Sequence, residues 1–328
     1  MPCARHGGTA LQFAVITSGG DAPGMNACVR AIVRQSIYLH HEVWGVLRGY
    51  HGLLEGHRRR LGLGSVADVI KTGGTFLRTG RCLPFLNEEG QEMGRDRLRE
   101  WGIDGLLVVG GDGSLRGALA LHGLGIPVIG IPASIDNDIY GTDYAIGFDT
   151  AINNVTQSMD KIRDTASSHE RVFVIEVMGR ESGAIAIASG VAGGAETILI
   201  PEVPVNYRAM ITRIKRSRAR GKRHSLIVVA EGAAAGEDVT RLIEAETGYE
   251  VRLIILGHTQ RGGPPTAMDR ILASQLGTYG VQLLAEGKSG VMVGWRHGTL
   301  VTTPIDVVVN TRKDPDLELA QLASILSI

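Results

Sequence analysis

Cysteine, aromatic residues, net charge and long apolar runs are all scarce in this 328-residue chain, and each scarcity removes a class of protein. Cys3, Cys28 and Cys82 are odd in number and widely spaced, which supports neither a disulfide framework nor a zinc site. A reducing compartment fits, so the expected location is the cytoplasm. The 34 basic residues balance 34 acidic ones, which argues against broad binding to nucleic acid or a membrane surface. Affinity for anions must then come from local arginine clusters. The opening MPCARHGGTALQ has no apolar signal-like region, and no later stretch gives the uncharged span of a transmembrane helix.

What the chain has in abundance is glycine, 45 residues, in a composition that is 44% hydrophobic and 5% aromatic. That balance suits an α/β protein with glycine-bearing turns at its strand ends. The length favours two domains, or one large domain with an insertion.

Strand-to-turn junctions recur. The apolar run 106–109 predicts a fully buried parallel strand, followed by Gly110-Gly111-Asp112-Gly113-Ser114 and a helix over 115–122. Glycines around the carboxylate let backbone amides approach a phosphate, and the new helix adds its positive end. Asp112 is the candidate magnesium ligand; alone, the turn reads first as a tight strand-to-helix connection with a solvated Asp. A strand over 11–16 ends in Thr17-Ser18-Gly19-Gly20-Asp21-Ala22-Pro23-Gly24, and a helix over 25–39 carries Arg30 and Arg34 one turn apart. That pair either binds a phosphate or forms a solvated face.

A strand over 43–47 leads into a Gly-, His- and Arg-rich loop through Arg58-Arg59-Arg60, a short helix over 65–71 and the arginine-bearing segment 73–81. After a charged helix over 88–101 and the strand 106–109, a strand over 128–131 ends in Pro132-Ala133-Ser134-Ile135-Asp136-Asn137-Asp138. In open α/β sheets ligands gather at the carboxyl ends of strands, so turns far apart in sequence can share one cleft. If this loop is extended, Asp136 and Asp138 face opposite sides without repelling each other, one as a base and the other supporting a metal.

The second half repeats the rhythm and predicts another parallel sheet. Helices are expected over 149–165, 184–193, 207–220 and 237–247, a polar turn over 167–170, and strands over 171–177, 197–200, 225–230 and 252–256. The stretch 232–236 reads as a mobile loop, and 257–263 as a glycine turn holding His258 and Arg261. A helix over 269–286, a hairpin over 290–303 and a helix over 315–328 complete the chain. Arg171, Arg180, Arg252, His258 and Arg261 all fall at or near strand ends and suit an anionic sugar phosphate. Glu231 either accepts hydrogen bonds from sugar hydroxyls or serves as a cap or ion pair.

Phosphoryl transfer needs an aligned nucleophile, a metal on the donor phosphates and cations around the moving group. The residues supply Asp136 as base, Asp112 for magnesium, Arg81 to neutralise developing charge, and Ser134 or Gly20 as hydrogen-bond donors. Taken together, 17–26, Gly110–Ser114, Pro132–Asp138, Met178-Gly179-Arg180 and 256–263 resemble the bacterial 6-phosphofructokinases in family order and nearly ungapped spacing. The resemblance runs from about residue 12 to the last helix.

The resemblance implies two Rossmann-like three-layer α/β/α domains with largely parallel sheets and an active site in the cleft between them. The larger is expected to span 1–147 and 260–310, the smaller 148–259 and 311–328. It implies transfer of the ATP γ-phosphate to the 1-hydroxyl of fructose 6-phosphate, with magnesium at Asp112 and Asp138. Gly19, Tyr50, Arg81, Cys82, Asp112, Gly113 and Ser114 match the nucleotide side. Ser134, Asp136, Asp138, Met178, Gly179, Arg180, Glu231, His258 and Arg261 match the sugar-phosphate side, with Arg171 and Arg252 reaching it from a neighbouring subunit of a tetramer. Arg30, Arg34, Arg163, Glu196, Arg220 and Lys222 match an allosteric site for ADP or phosphoenolpyruvate. Small residues at Gly113 and Ala133 imply ATP, where pyrophosphate-using relatives carry Asp and Lys; the methyl of Ala133 is expected beside the phosphate path. The rival readings are a pyrophosphate-dependent enzyme, a lipid or NAD kinase sharing the Gly-Gly-Asp turn, and a non-catalytic nucleotide-sensing subunit.

Overall fold

In a computed structural model, residues 10–169, 171–222 and 224–326 are described. Cys3, Glu170 and the last two positions of the expected terminal helix lie outside them. In chain order the elements are β1 (Gln12–Ser18), α1 (Met25–Tyr38), β2 (Glu42–Val46), α2 (Gly49–Glu55), β3 (Arg58–Leu61), α3 (Glu88–Glu100), β4 (Gly105–Gly110), α4 (Asp112–Gly123), β5 (Val128–Pro132) and α5 (Phe148–His169). There follow β6 (Val172–Val177), α6 (Ala184–Ala192), β7 (Thr197–Leu199), α7 (Tyr207–Ala219), β8 (Ser225–Ala230), α8 (Gly236–Thr247) and β9 (Val251–Ile255). The chain continues with α9 (Ala267–Ala285), β10 (Val291–Arg296), β11 (Thr299–Pro304), α10 (Ile305–Asn310) and α11 (Leu317–Leu326).

These elements form two compact units. Among the described residues, unit 1 comprises 10–133, 139–146 and 264–311, and unit 2 comprises 134–138, 147–169, 171–222, 224–263 and 312–326. Residues 134–138, 147 and 260–263, expected with the larger domain, group with unit 2, and residue 311, expected with the smaller, groups with unit 1.

Unit 1 holds a seven-stranded sheet in the order β11-β10-β5-β4-β1-β2-β3. Its inner strands are parallel, and β3 and β11 close the edges antiparallel. Every residue of β4 is buried, as a parallel strand covered on both faces requires. Helices α1 and α9 pack so closely that a Cβ on Gly277 would lie 2.8 Å from the Cys28 carbonyl. The register pairs Ser18 with Gly110 and Gly110 with Pro132, so three carboxyl ends finish side by side. Three turns far apart in sequence thus become neighbours.

Unit 2 is built on a fully parallel sheet in the order β7-β8-β6-β9. Val172, Val174, Ile227 and Val229 pack with Met210 and Ile214 of α7 and Val239 and Ile243 of α8. Val177 pairs with Ala230, and Glu176 with Ile255, so three more carboxyl ends converge.

Several expectations need correction. The Gly-, His- and Arg-rich loop contains α2 and β3. Arg58 lies between the rings of Trp44 and Trp101, 4.2 and 4.7 Å from their centroids, and Arg60 pairs with Glu42 at 2.5 Å. These contacts fix a charged edge strand that composition hides. The expected helix over 65–71 is two short 3-10 turns, Leu63–Val66 and Val69–Lys71. The expected polar turn after residue 165 is helical through His169. The supposed mobile loop 232–236 is packed: Ala233 and Ala234 rest on the unit 2 core, and a Cβ on Gly232 would meet the Arg180 carbonyl at 1.9 Å. Among the described residues no helix is long and apolar enough to cross a membrane.

Candidate active site

In unit 1 the turn after β4 opens directly into α4. No side chain caps that helix, which leaves its leading N–H groups for an anion. Gly19 has φ +84, and a Cβ on it would approach Ser114 Oγ at 3.1 Å. A Cβ on Gly110 would collide with Ser114 Oγ at 2.5 Å and the Ser18 carbonyl at 2.6 Å. Ser114 Oγ is buried without a hydrogen-bond partner. Gly113 differs: a Cβ there meets nothing within 4 Å.

Asp112 has a side chain 49% exposed and receives Arg116 Nε at 2.9 Å. Arg116 also donates to the Val309 carbonyl at 2.5 Å, so its head is anchored to α10. Tyr50, matched to the nucleotide side, is instead buried beneath the turn, its hydroxyl donating to the Ser114 carbonyl at 2.7 Å and its ring stacked on Phe85 at 4.1 Å. Burial pushes its phenol pKa up. Cys82 is half-buried against the same core, and desolvation raises its thiol pKa. Arg81 is exposed at the end of the 73–81 segment, whose Thr79 hydroxyl donates to the Gly19 carbonyl at 2.8 Å. Ala133 is buried, and its N–H donates to the Gly110 carbonyl at 3.0 Å. Its methyl is thus shielded from solvent at the carboxyl end of β5.

In unit 2, Asp136 is only 3% exposed. Its Oδ2 lies 3.6 Å from Arg180 Nε, and its Oδ1 is buried without a hydrogen-bond partner. Burial raises its pKa to about 6; the negative charges of Asp138 and Glu231 push the same way, and Arg180 and Arg261 oppose them. The expected absence of repulsion between Asp136 and Asp138 is thus overturned. Asn137 has φ +50, so the loop is folded and not extended. Ser134 Oγ accepts the Asp136 N–H at 3.3 Å and donates to Asp138 Oδ1 at 3.4 Å.

The loop Met178-Gly179-Arg180 is tied down from two sides. Glu231 Oε1 accepts the N–H groups of Gly179 at 3.3 Å and Arg180 at 2.9 Å, so this oxygen orients backbone. Gln260, fully buried, accepts the Met178 N–H at 3.2 Å and donates to the Gly257 carbonyl at 3.0 Å. Asn154 of α5 donates to the Gly262 carbonyl at 2.9 Å. Sequence pattern points to neither residue as part of the site, although Gln260 sits inside the 256–263 motif. Arg261 Nε is buried without a hydrogen-bond partner, and His258 is exposed in the same 3-10 turn.

Arg171 and Arg252 lie elsewhere on this sheet. Arg171 precedes β6 and Arg252 is the second residue of β9, both at amino ends, opposite to Arg180 and Arg261. They flank Glu250 at 2.9 and 2.5 Å, and that pairing, Arg171 foremost, holds the Glu250 carboxyl below its usual range. A further polar cluster joins Arg163, Glu196 and Lys222. Arg163 donates to the Gly193 and Gly194 carbonyls, and buried Glu196 pairs with Lys222 and accepts the Leu226 N–H at 2.5 Å. His224, not anticipated, faces the same group; burial lowers its pKa while Glu196 raises it and Lys222 and Arg163 lower it. Arg220 caps the end of α7, and Arg30 and Arg34 lie on α1 of unit 1.

The fold and its turns define an α/β protein with a phosphate-type glycine turn on one sheet and a carboxylate–arginine centre on the other. Comparison with known proteins narrows this class. The sequence profile described as Phosphofructokinase matches residues 12–284. The chain is 53% identical over 317 residues to the ATP-dependent 6-phosphofructokinase of Bacillus subtilis, covering 97% of this chain and 99% of the relative. It is 52% identical over the same length and coverage to the protein of that name from Bacillus pumilus. The solved phosphofructokinase of Saccharomyces cerevisiae superposes with a TM-score of 0.85 at 34% identity, over 96% of this chain and 46% of the yeast chain. This chain thus spans about half the length of that larger relative. The chain belongs to the phosphofructokinase family.

Proposed function

We propose that this chain is a magnesium-dependent, ATP-using 6-phosphofructokinase that converts fructose 6-phosphate to fructose 1,6-bisphosphate and ADP in glycolysis. The observation that carries the reading is Asp136: a buried carboxylate with one oxygen unpartnered, the other beside Arg180, and a pKa of about 6. Such a group is ionised at neutral pH yet basic enough to take a proton from a hydroxyl. The 1-hydroxyl oxygen bonds to the γ-phosphorus as the bond from that phosphorus to the β-phosphate oxygen breaks; Asp136 receives the hydroxyl proton and ADP leaves. Arg180 and Arg81 neutralise charge on the moving group, and Ser134 orients the aspartate loop.

Asp112 suits magnesium because it is half-exposed at the head of an uncapped helix, and this ion commonly takes one or two protein carboxylates plus substrate phosphates. When bound, the ion polarises the donor phosphates. Asp138 remains the second proposed metal residue. Among the described residues no cluster of three or more metal-type ligands forms, so the nucleotide itself would supply most of the coordination. The open space at Gly113 supports ATP over pyrophosphate.

Further parts of the reading are a cytoplasmic homotetramer and allosteric control. The placement of Arg171 and Arg252 at the amino ends of their strands supports their service to a second copy's sugar-phosphate site. The Arg163–Glu196–Lys222 cluster supports an effector site for ADP or phosphoenolpyruvate with Arg30, Arg34 and Arg220. The test is Asp136→Ala, expected to lower kcat by about 10²–10⁴-fold with the KM for fructose 6-phosphate little changed. Near-normal turnover in that variant refutes the assignment.

A further inference from the structure

The segment 72–81 carries Arg78 and Arg81 yet belongs to no strand and to no helix beyond the short turn that ends at Lys71. Its backbone polar groups must therefore find partners outside a ladder. Side chains of β1 and α1 supply several of them, alongside the Arg48 N–H, which donates to the Leu77 carbonyl at 2.8 Å. Asn26, only 2% exposed in the first turn of α1, donates through Nδ2 to the carbonyls of Thr72 and Gly73, both at 3.1 Å, and to Thr72 Oγ1 at 3.2 Å. Its Oδ1 accepts the Phe76 N–H at 2.8 Å. The amide has one workable orientation, because reversing it would set an oxygen against two carbonyls and an NH₂ against an N–H. Further along, Thr17 Oγ1 donates to the Arg78 carbonyl at 2.9 Å and Thr79 Oγ1 to the Gly19 carbonyl at 2.8 Å. Leu77 is the one residue of 72–81 that is fully buried, so these polar ties, more than packing, set the course of the segment.

We propose that Asn26 and Thr79 are positioning residues that hold the 72–81 segment so that Arg81 meets the transferring phosphoryl group. This rests on the reading of Arg81 given above. Arg81 itself is exposed, and nothing in its immediate backbone fixes it. Its placement is inherited from the two ends of the segment, one pinned to α1 by Asn26 and the other to the Gly19 turn by Thr79. A displacement of about 1 Å remote from the chemistry can cost on the order of 10²-fold in rate.

The test combines Asn26→Asp with Arg81→Ala. Asn26→Asp preserves shape and keeps an acceptor for Phe76, but turns an oxygen toward the Thr72 and Gly73 carbonyls. With Arg81 present it is expected to lower kcat by about 10²-fold while the KM for fructose 6-phosphate stays unchanged. In the Arg81→Ala background, already slow, the same change is expected to cost nothing further, because residues acting as a unit are non-additive. An equal drop in both backgrounds overturns the proposal and leaves the role of Arg81 standing. Full activity of Arg81→Ala alone refutes the role of Arg81, and the proposal with it. Should the Asn26 variant fail to fold, Thr79→Val is read in the same two backgrounds, with the same pair of outcomes on a smaller scale.

Discussion

Asp136, the proposed base, is held in a state that costs the fold something. Its carboxyl protonates at about 6 when folded and near 3.8 otherwise, chiefly because burial disfavours the charge. Two consequences follow, with opposite bearing on activity and stability. The kcat/KM for fructose 6-phosphate should fall as pH drops through about 6, since only the carboxylate accepts a proton; a profile flat down to pH 5 would contradict this. Because the folded pKa is raised, the folded state binds the proton more tightly. Stability is therefore lost as pH rises from the unfolded value through about 6. Asp136→Asn should accordingly stabilise the protein at pH 8 by on the order of 3 kcal/mol in denaturant titrations, with the gain shrinking as pH falls toward 4. At this scale the sequence was informative about identity and poor about company. The resemblance put Asp136 and Arg180 on the same sugar-phosphate side, whereas their pairing, the folded loop and the unfavourable neighbour Asp138 depend on geometry such as Asn137 at φ +50, which spacing does not encode.

Among the elements, the β4–α4 junction shows how glycines in one motif differ. Gly110 is closed in by the Ser18 carbonyl and by Ser114, whereas the place of a Cβ on Gly113 is open. Gly110→Ala should destabilise by about 1–3 kcal/mol through overpacking. Gly113→Ala should leave the melting temperature near the native value, and any loss of nucleotide affinity in that variant then reports the ligand and not the fold. Similar melting temperatures for the two variants would contradict the distinction. Strands ending in glycine turns were legible because parallel strands read as continuous apolar runs. Helix α2 and strand β3 were not, since His51, His57 and Arg58 to Arg60 look like loop, and the contacts that shape them reach Trp44 and Trp101. Asn26 closes the 17–26 motif, but its contacts were not legible for the same reason: it sits in a helix whose pattern is apolar, and its partners lie 46 to 50 residues away.

On the scale of the whole molecule, the proposed shared site turns on Arg171 and Arg252. They stand at the amino ends of β6 and β9, while Arg180 and Arg261 follow the carboxyl ends of the same sheet. If they complete a neighbour's site, mixing inactive Asp136→Ala with weakened Arg171→Ala, each unfolded and refolded together, should recover activity beyond the sum of the parts. Hybrid oligomers would then contain some sites with both residues intact. Simple addition would assign Arg171 and Arg252 to holding Glu250. The central claim is the reaction itself, and the donor and acceptor decide it. Purified protein with fructose 6-phosphate and magnesium should form fructose 1,6-bisphosphate and ADP when given ATP, and no bisphosphate when given pyrophosphate, followed by phosphorus NMR. Turnover with pyrophosphate alone, or with neither donor, would contradict the account.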